Sequence, residues 1–164
     1  MSDLYGVLTR TDDDVAVTFE REYATSCGDL WSALTEPDRL ARWMDPVDGD
    51  FRPGGEVVVH FDDGDARFAI DTCEAPTVLA VRWRGERDTV LRASVFDLGG
   101  DRARLTLVHE RLSETQAPQY AAGWHWHLAV LEGLLTGREA TPPAWDQLAG
   151  HYTAAMSDVR TAHV

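Results

Sequence analysis

Hydrophobic and polar residues alternate along much of the first two thirds of the chain. Val15, Val17, Phe19 and Tyr23 share one face of the first such segment, and its other face is polar. A period of two is typical of a strand with one buried face. The pattern recurs in short segments near positions 59, 70, 81, 93 and 107, with tight turns such as Gly99-Gly100-Asp101 between them. Short strands and tight turns predict an antiparallel sheet.

Helical periodicity appears after the first strand and again in the last third of the chain. Ser26 is the predicted N-cap of a short helix, and a second short helix follows it. A long helix is predicted from about Gln116 to Thr136, with Gly137 ending it and His125 on its solvent-facing stripe. A final amphipathic helix follows a Pro-Pro pair. Because the long helix is apolar over most of its circumference, we expect a curved sheet to surround it.

The order of these elements predicts a single α+β domain. We expect a curved antiparallel sheet of about seven strands wrapped around the long helix, with two short helices after the first strand. Residues 1–14 are expected to be a flexible tail and residues 15–137 the folded domain. Residues 138–164 are expected to form a helical extension that packs on the domain or on a second subunit.

The charge of the chain narrows the classes of partner. Its 15 basic and 28 acidic residues give a net charge of −13. Nucleic acids and anionic membrane surfaces both attract clustered cations, so this balance argues against either partner. No apolar stretch approaches the roughly 18 residues that cross a bilayer, and the N-terminus lacks a signal-peptide core. We therefore expect a cytoplasmic protein without membrane insertion.

The sequence lacks the usual motifs of metal, cofactor and nucleophile sites. His109-Glu110 is not followed by the second histidine of a zinc-binding helix. His125 and His127 would point about 200° apart on a helix, so they cannot share a metal. Cys27 and Cys73 are too few for a zinc site or a disulfide framework. We expect no metal, no cofactor and no catalytic residue of a recognised type.

A small set of polar residues falls on faces that are expected to look inward: Arg21, Thr72, His109 and His127. An unpaired buried polar group costs about 1–3 kcal/mol, so these residues need partners. They either pair internally or with water, or they orient a ligand in an apolar pocket, and both interpretations stay open. The predicted wall of such a pocket consists of inward apolar residues, namely Trp43, Phe61, Phe68, Trp83, Trp124 and Leu131.

Several segments, taken in order, resemble one known family. They are Leu30-Trp31-x-Ala33-Leu34-Thr35-Glu36-Pro37-x-x-Leu40-x-x-Trp43, Phe51-Arg52-Pro53-Gly54-Gly55-Glu56, Val81-x-Trp83, Thr106-Leu107-x-His109-Glu110 and Gly123-Trp124-x-x-x-Leu128. They resemble the homologues of the activator of the heat-shock protein 90 ATPase, within the START-like or SRPBCC superfamily. The resemblance covers roughly Val15 to Gly137. It implies the helix-grip fold, with a small hydrophobic-ligand pocket between the sheet and the long helix.

The residues and the resemblance together favour binding over catalysis. The leading hypothesis is a protein that binds a hydrophobic or aromatic small molecule in an internal cavity. One alternative is a cavity enzyme of the polyketide cyclase or hydrolase type, with His109 or His127 as general acid or base. Another is a protein-interaction or co-chaperone-like module. A homodimer formed through the C-terminal helix is a further expectation.

Overall fold

A computed structural model describes residues 4–162, with the side chains of residues 4–159. The strands are β1 (Val7–Thr11), β2 (Asp14–Tyr23), β3 (Val47–Gly49), β4 (Glu56–Phe61), β5 (Gly64–Glu74), β6 (Val78–Trp83), β7 (Thr89–Gly99) and β8 (Arg102–Leu112). The helices are α1 (Cys27–Thr35), α2 (Pro37–Leu40), α3 (Gln116–Thr136) and α4 (Trp145–Ala162). None of the described helices combines the length and the apolar character needed to span a lipid bilayer.

All the strands belong to one antiparallel sheet, in the order β1-β2-β8-β7-β6-β5-β4-β3. β2 therefore lies beside β8, while β3 to β8 follow one another as a meander. Val15, Val17 and Phe19 of β2 are almost completely buried, as their alternation predicts. The curved sheet, the long helix α3 and the two short helices confirm the predicted α+β helix-grip fold. The sheet has eight strands among the described residues, where about seven were expected.

The additional strand, β1, lies in the segment that we expected to be a flexible tail. It pairs with β2, with Val7 opposite Thr18 and Thr11 opposite Asp14. Asp12, in the turn, has a φ of 53°, which aspartate tolerates better than most residues. The segment from Thr11 to Asp14 therefore forms the hairpin turn between β1 and β2. The prediction of a flexible tail is wrong for residues 7–14, and its first three residues lie outside the described part of the chain.

The first of the two short helices begins where the sequence predicts. The Ser26 hydroxyl accepts a hydrogen bond from the Asp29 N–H at 3.1 Å, as an N-cap does. Pro37 is the first residue of α2, where its missing N–H removes no helical hydrogen bond. The indole N–H of Trp43 donates to the Ala33 carbonyl at 2.9 Å. This bond ties the segment after α2 to α1 and fixes the Trp43 ring in the core.

The C-terminal helix α4 packs on α3 and β1 of the same chain. Leu148, Tyr152 and Met156 form its apolar stripe and are completely buried. Because α4 covers that side of α3, His125 is only 4% exposed, and its prediction as a solvent-facing residue is wrong. The apolar stripe of α4 is therefore covered within the chain, as part of the same hydrophobic core as the sheet.

Candidate functional site

An open cleft of about 620 Å³ lies beside the N-terminal half of α3, near the ends of β4 and β6 and the start of α4. This volume is within the range of about 300–1,000 Å³ that is usual for small-molecule sites. Its wall is mostly apolar or aromatic and is formed by Met44, Phe61, Asp63, Trp83, Pro118, Gln119, Tyr120, Gly123, Trp124, His127, Trp145, Ala149 and Thr153. Four of the predicted site residues line this cleft, namely Phe61, Trp83, Trp124 and His127.

The second space lies deeper, between the sheet and the helices, and holds only about 70 Å³. Its wall is apolar and aromatic, and comprises Leu34, Leu40, Trp43, Met44, Phe51, Val57, Val59, Phe68, Ile70, Leu79, Val81, Leu91, Ala93, Leu107 and Trp124. This volume is well below the range of about 300–1,000 Å³ that is usual for small-molecule sites. Met44 and Trp124 line both spaces. Of these two spaces, the open cleft has room for a ligand, and the deeper space is not a large internal cavity.

His109 lies behind the cleft wall, with no exposed surface and with both ring nitrogens engaged. The Trp124 indole N–H donates to Nδ1 at 3.1 Å, so Nδ1 carries no proton. Nε2–H then donates to the Thr89 hydroxyl at 2.8 Å. Burial lowers the pKa of His109 to about 4, in agreement with a neutral ring. His109 also stacks on Trp83 at a centroid distance of 5.5 Å, so it holds the wall in place.

His127 is the predicted polar residue that reaches the cleft itself. Its Nδ1–H donates to the Trp43 carbonyl at 2.8 Å. Burial lowers the pKa of His127, while the Trp43 carbonyl and the charge of Asp45 partly oppose this effect. In the neutral ring Nε2 is an acceptor, and the described residues provide no hydrogen bond to it. A donor group on a ligand is therefore able to bind at Nε2.

Tyr120 and Asp63 line the cleft but were not predicted as site residues from the sequence. Tyr120 packs edge-on against Trp83, with centroids 4.9 Å apart and planes at 82°. Burial, and to a smaller extent the charge of Asp63, raise the pKa of the Tyr120 hydroxyl. Tyr120 carried a usable signal, because it lies seven residues before His127 and therefore on the same face of α3. Asp63 lies in an acidic turn, where nothing in the sequence distinguishes it from its neighbours.

The structure places six of the ten predicted site residues around the two spaces, namely Trp43, Phe61, Phe68, Trp83, Trp124 and His127. His109 lies directly behind them. Arg21, Thr72 and Leu131 line neither space. The four predicted polar residues are therefore not assembled into one group.

Each of the three exceptions has a physical reason. A β-bulge just before Thr72 shifts the alternation of β5, so this side chain lies on the face opposite to the predicted one. Arg21 is buried, but its guanidinium carbon lies 5.3 Å from the centre of the Phe19 ring, away from the cleft. Leu131 is completely buried in the hydrophobic core.

The described residues do not offer a metal site. Among them, no three His, Cys, Asp or Glu side chains are grouped so that they could hold a metal ion. Cys27 and Cys73 are free thiols in separate parts of the fold. The chemistry of the cleft therefore depends on its rings, on His127 and on a few hydroxyl, amide and carboxylate groups.

The fold defines a helix-grip protein, and the comparison with known families specifies it further. The family model described as "Activator of Hsp90 ATPase homolog 1-like protein" matches residues 24–136. Because this match covers more than half of the chain, the protein belongs to that family, as its motifs indicated. Among curated proteins, no match is found.

Solved structures of other proteins share the fold. CalU16 from Micromonospora echinospora has a TM-score of 0.79 at 24% identity, over 94% of this chain and 96% of its own. DynU16, a protein in the dynemicin biosynthetic locus, has a TM-score of 0.68 at 23% identity, over 79% of this chain and 50% of its own. The Aha1 dimer from Colwellia psychrerythraea has a TM-score of 0.67 at 16% identity, over 73% of this chain and 95% of its own. At these identities the likeness establishes the fold alone.

Proposed function

We propose that the protein binds a small apolar or aromatic molecule in the open cleft beside α3. The observation that carries this proposal is the aromatic wall of the cleft, to which Phe61, Trp83, Tyr120, Trp124 and Trp145 contribute. Covering apolar surface is favourable by about 25 cal/mol per Å², so an apolar ligand gains free energy by filling this space. Sites of this kind usually combine apolar walls with a few polar groups that orient the ligand.

His127 is the group that would orient such a ligand. Its Nδ1–H is held by the Trp43 carbonyl, which leaves Nε2 as the acceptor of the neutral ring. His127 lies 6.5 Å from Phe61 and from Trp124, measured between ring centroids. A ligand ring among these side chains would therefore lie within reach of a fixed acceptor. DynU16, which shares the fold, is a protein in a biosynthetic locus, and this context is consistent with a small-molecule partner.

Filling the cleft from α3 tests the proposal. A Cβ atom added at Gly123 meets no atom within 4 Å, so Gly123→Leu places its side chain in the cleft. Gly150→Leu is the matched control, since this position on α4 is equally open but does not line the cleft. We expect the neutral fluorescent probe 1-aminoanthracene to bind the wild type and Gly150→Leu. Gly123→Leu should bind it at least ~10-fold more weakly. Equal affinities, or no binding to the wild type, would contradict the proposal.

A cavity enzyme is a second candidate, favoured by the Nε2 atom of His127, which has no hydrogen-bond partner among the described residues. An unprotonated ring nitrogen at a cleft is able to accept a proton as a general base. His109 is unsuited to this role, because both its nitrogens are hydrogen-bonded inside the wall. Compounds that bind the wild type would be incubated with it and followed by mass spectrometry. His127→Gln should retain binding and lose turnover, whereas unchanged compounds with the wild type would exclude this candidate.

A further inference from the structure

Among the described residues, the charged groups at the cleft are carboxylates. Asp63 lines it, and Asp45 lies close enough to His127 for its charge to act on that ring. Among the described residues, neither aspartate takes part in an ion pair, whereas Asp14, Asp29 and Asp71 each pair with an arginine. The described residues that line the cleft include no arginine, and the sequence contains no lysine. The cleft therefore presents unneutralised negative charge to whatever enters it.

The aromatic wall of the cleft also favours a positively charged ligand. The faces of tryptophan, tyrosine and phenylalanine rings attract cations, and tryptophan does so most strongly. Three of the five aromatic residues at the cleft are tryptophans: Trp83, Trp124 and Trp145. Phe61 and Trp83 are nearly parallel, with a centroid distance of 6.3 Å and an interplanar angle of 14°. A cluster of rings with a carboxylate at its edge suits a desolvated ammonium group better than an anion.

The hydrogen-bonding groups of His127 also favour a ligand that carries an ammonium group. The neutral ring offers Nε2 as an acceptor, and an ammonium group has donors but no acceptor. A carboxylate ligand would meet the Nε2 lone pair and the charge of Asp63, and no described residue of the cleft wall supplies a cation to pair with it. Both His127 and Asp63 therefore favour a ligand with hydrogen-bond donors and disfavour an anionic ligand.

Two arginines lie on the other side of the wall formed by Trp83 and Tyr120. There, a neighbouring cleft of about 550 Å³ is lined in part by Arg84 and Arg87. Arg84 pairs with Asp88, and Arg87 pairs with Asp14 and donates to a backbone carbonyl. These arginines are therefore largely neutralised by their own partners, and they do not reverse the sign of the charge in the open cleft.

We propose that the ligand of the open cleft is an organic amine in its protonated form, an apolar or aromatic skeleton that carries an ammonium group. The skeleton packs among Phe61, Trp83, Tyr120 and Trp124, and the ammonium group lies toward Asp63. This inference rests on the proposed function and adds to it the chemical class of the ligand.

Three probes that share the naphthalene ring system and differ in charge test the inference. They are 1-naphthylmethylamine, a cation at pH 7, the neutral 1-naphthylmethanol, and the anionic 1-naphthoate. Their dissociation constants would be measured calorimetrically at low ionic strength, where surface charge is least screened. We expect the cation to bind at least ~10-fold more tightly than the anion, with the neutral probe between them.

Asp63→Asn shows whether the preference comes from the cleft carboxylate. We expect this variant to bind the cation about 3-fold more weakly and the neutral probe unchanged. Asp62→Asn, in the same turn but outside the cleft, is the matched control and should change neither affinity. If all three probes bind the wild type equally, or the anion binds best, the charge inference is overturned while ligand binding stands. If none of them binds, both proposals fail.

Discussion

The two sides of helix α3 carry similar residues but have different surroundings. On one side, His125 is buried under α4, where its Nδ1 shares a hydrogen bond with the Tyr152 hydroxyl at 2.8 Å. The rings of Tyr5 and Phe19 close that side at centroid distances of 4.9 and 6.1 Å. On the other side, His127 lines the open cleft, and its hydrogen bond goes to a backbone carbonyl.

This difference shows that the residue type alone does not mark the site. Both sides of α3 present histidine and aromatic side chains, and on both sides a tyrosine lies nearby. Tyr152 is completely buried and its hydroxyl also accepts a hydrogen bond from the backbone of Gly6 at 2.8 Å. Tyr120 packs edge-on against Trp83 at the cleft wall. The closed side contributes stability, and the open side leaves surface and an acceptor for a ligand.

The largest expected effect concerns His109, which supports the open side from behind. Its pKa is about 4 in the folded state, against about 6.5 in an unfolded chain, so the unfolded state binds the extra proton first. The stability that the neutral ring provides is complete above pH 6.5 and is lost as the pH falls toward 4. We expect the free energy of unfolding to fall by up to ~3 kcal/mol over this interval from this residue. Urea unfolding at several pH values measures it.

His109→Gln separates this effect from the titration of carboxylates and of His127. A glutamine is able to accept from Trp124 and donate to Thr89 without binding a proton in this range. The difference in unfolding free energy between the wild type and the variant should therefore shrink, or change sign, between pH 6.5 and 4. A difference that stays constant with pH would show that His109 does not titrate as described.

The second prediction compares the two tyrosines directly. Tyr152→Phe removes the hydroxyl that accepts from the buried Gly6 N–H and pairs with His125. We expect it to lower the free energy of unfolding by about 2 kcal/mol, because buried partners are left unsatisfied. Tyr120→Phe makes the same change on the open side and should cost less than ~0.5 kcal/mol. Chemical denaturation of the two variants measures both, and similar losses would contradict the contrast between the sides.

The predictability of the fold and of the site differ for a physical reason. Periodicity reports which face of an element is buried, so strands β2 and β4 to β8, helix α3 and its end at Gly137 followed from the sequence. The prediction from periodicity failed where a bulge changed the register of a strand, and where another helix covered a face that was expected to meet solvent. A β-bulge moved Thr72 to the opposite face, and packing of α4 buried His125. An inward face either packs against a neighbouring element or lines an open cleft. Which of the two occurs depends on contacts between elements that are distant in the sequence, and the periodicity of a single element does not encode these contacts.

The smallest expected effect again sets the open side of α3 against a packed part. Gly123 faces the cleft, and a Cβ atom there meets nothing within 4 Å. Gly133, ten residues later on the same helix, has the Arg138 carbonyl 2.9 Å and the Ala140 Cβ 3.0 Å from such an atom.

Alanine stabilises a helix interior by up to ~1 kcal/mol relative to glycine, so Gly123→Ala should raise the free energy of unfolding by somewhat less than that. Gly133→Ala should lower it, because the clash with the returning chain outweighs the gain in helix propensity. Thermal and urea unfolding of the pair measure both signs, and a stabilised Gly133→Ala would mean that the chain after α3 is not packed as closely as described.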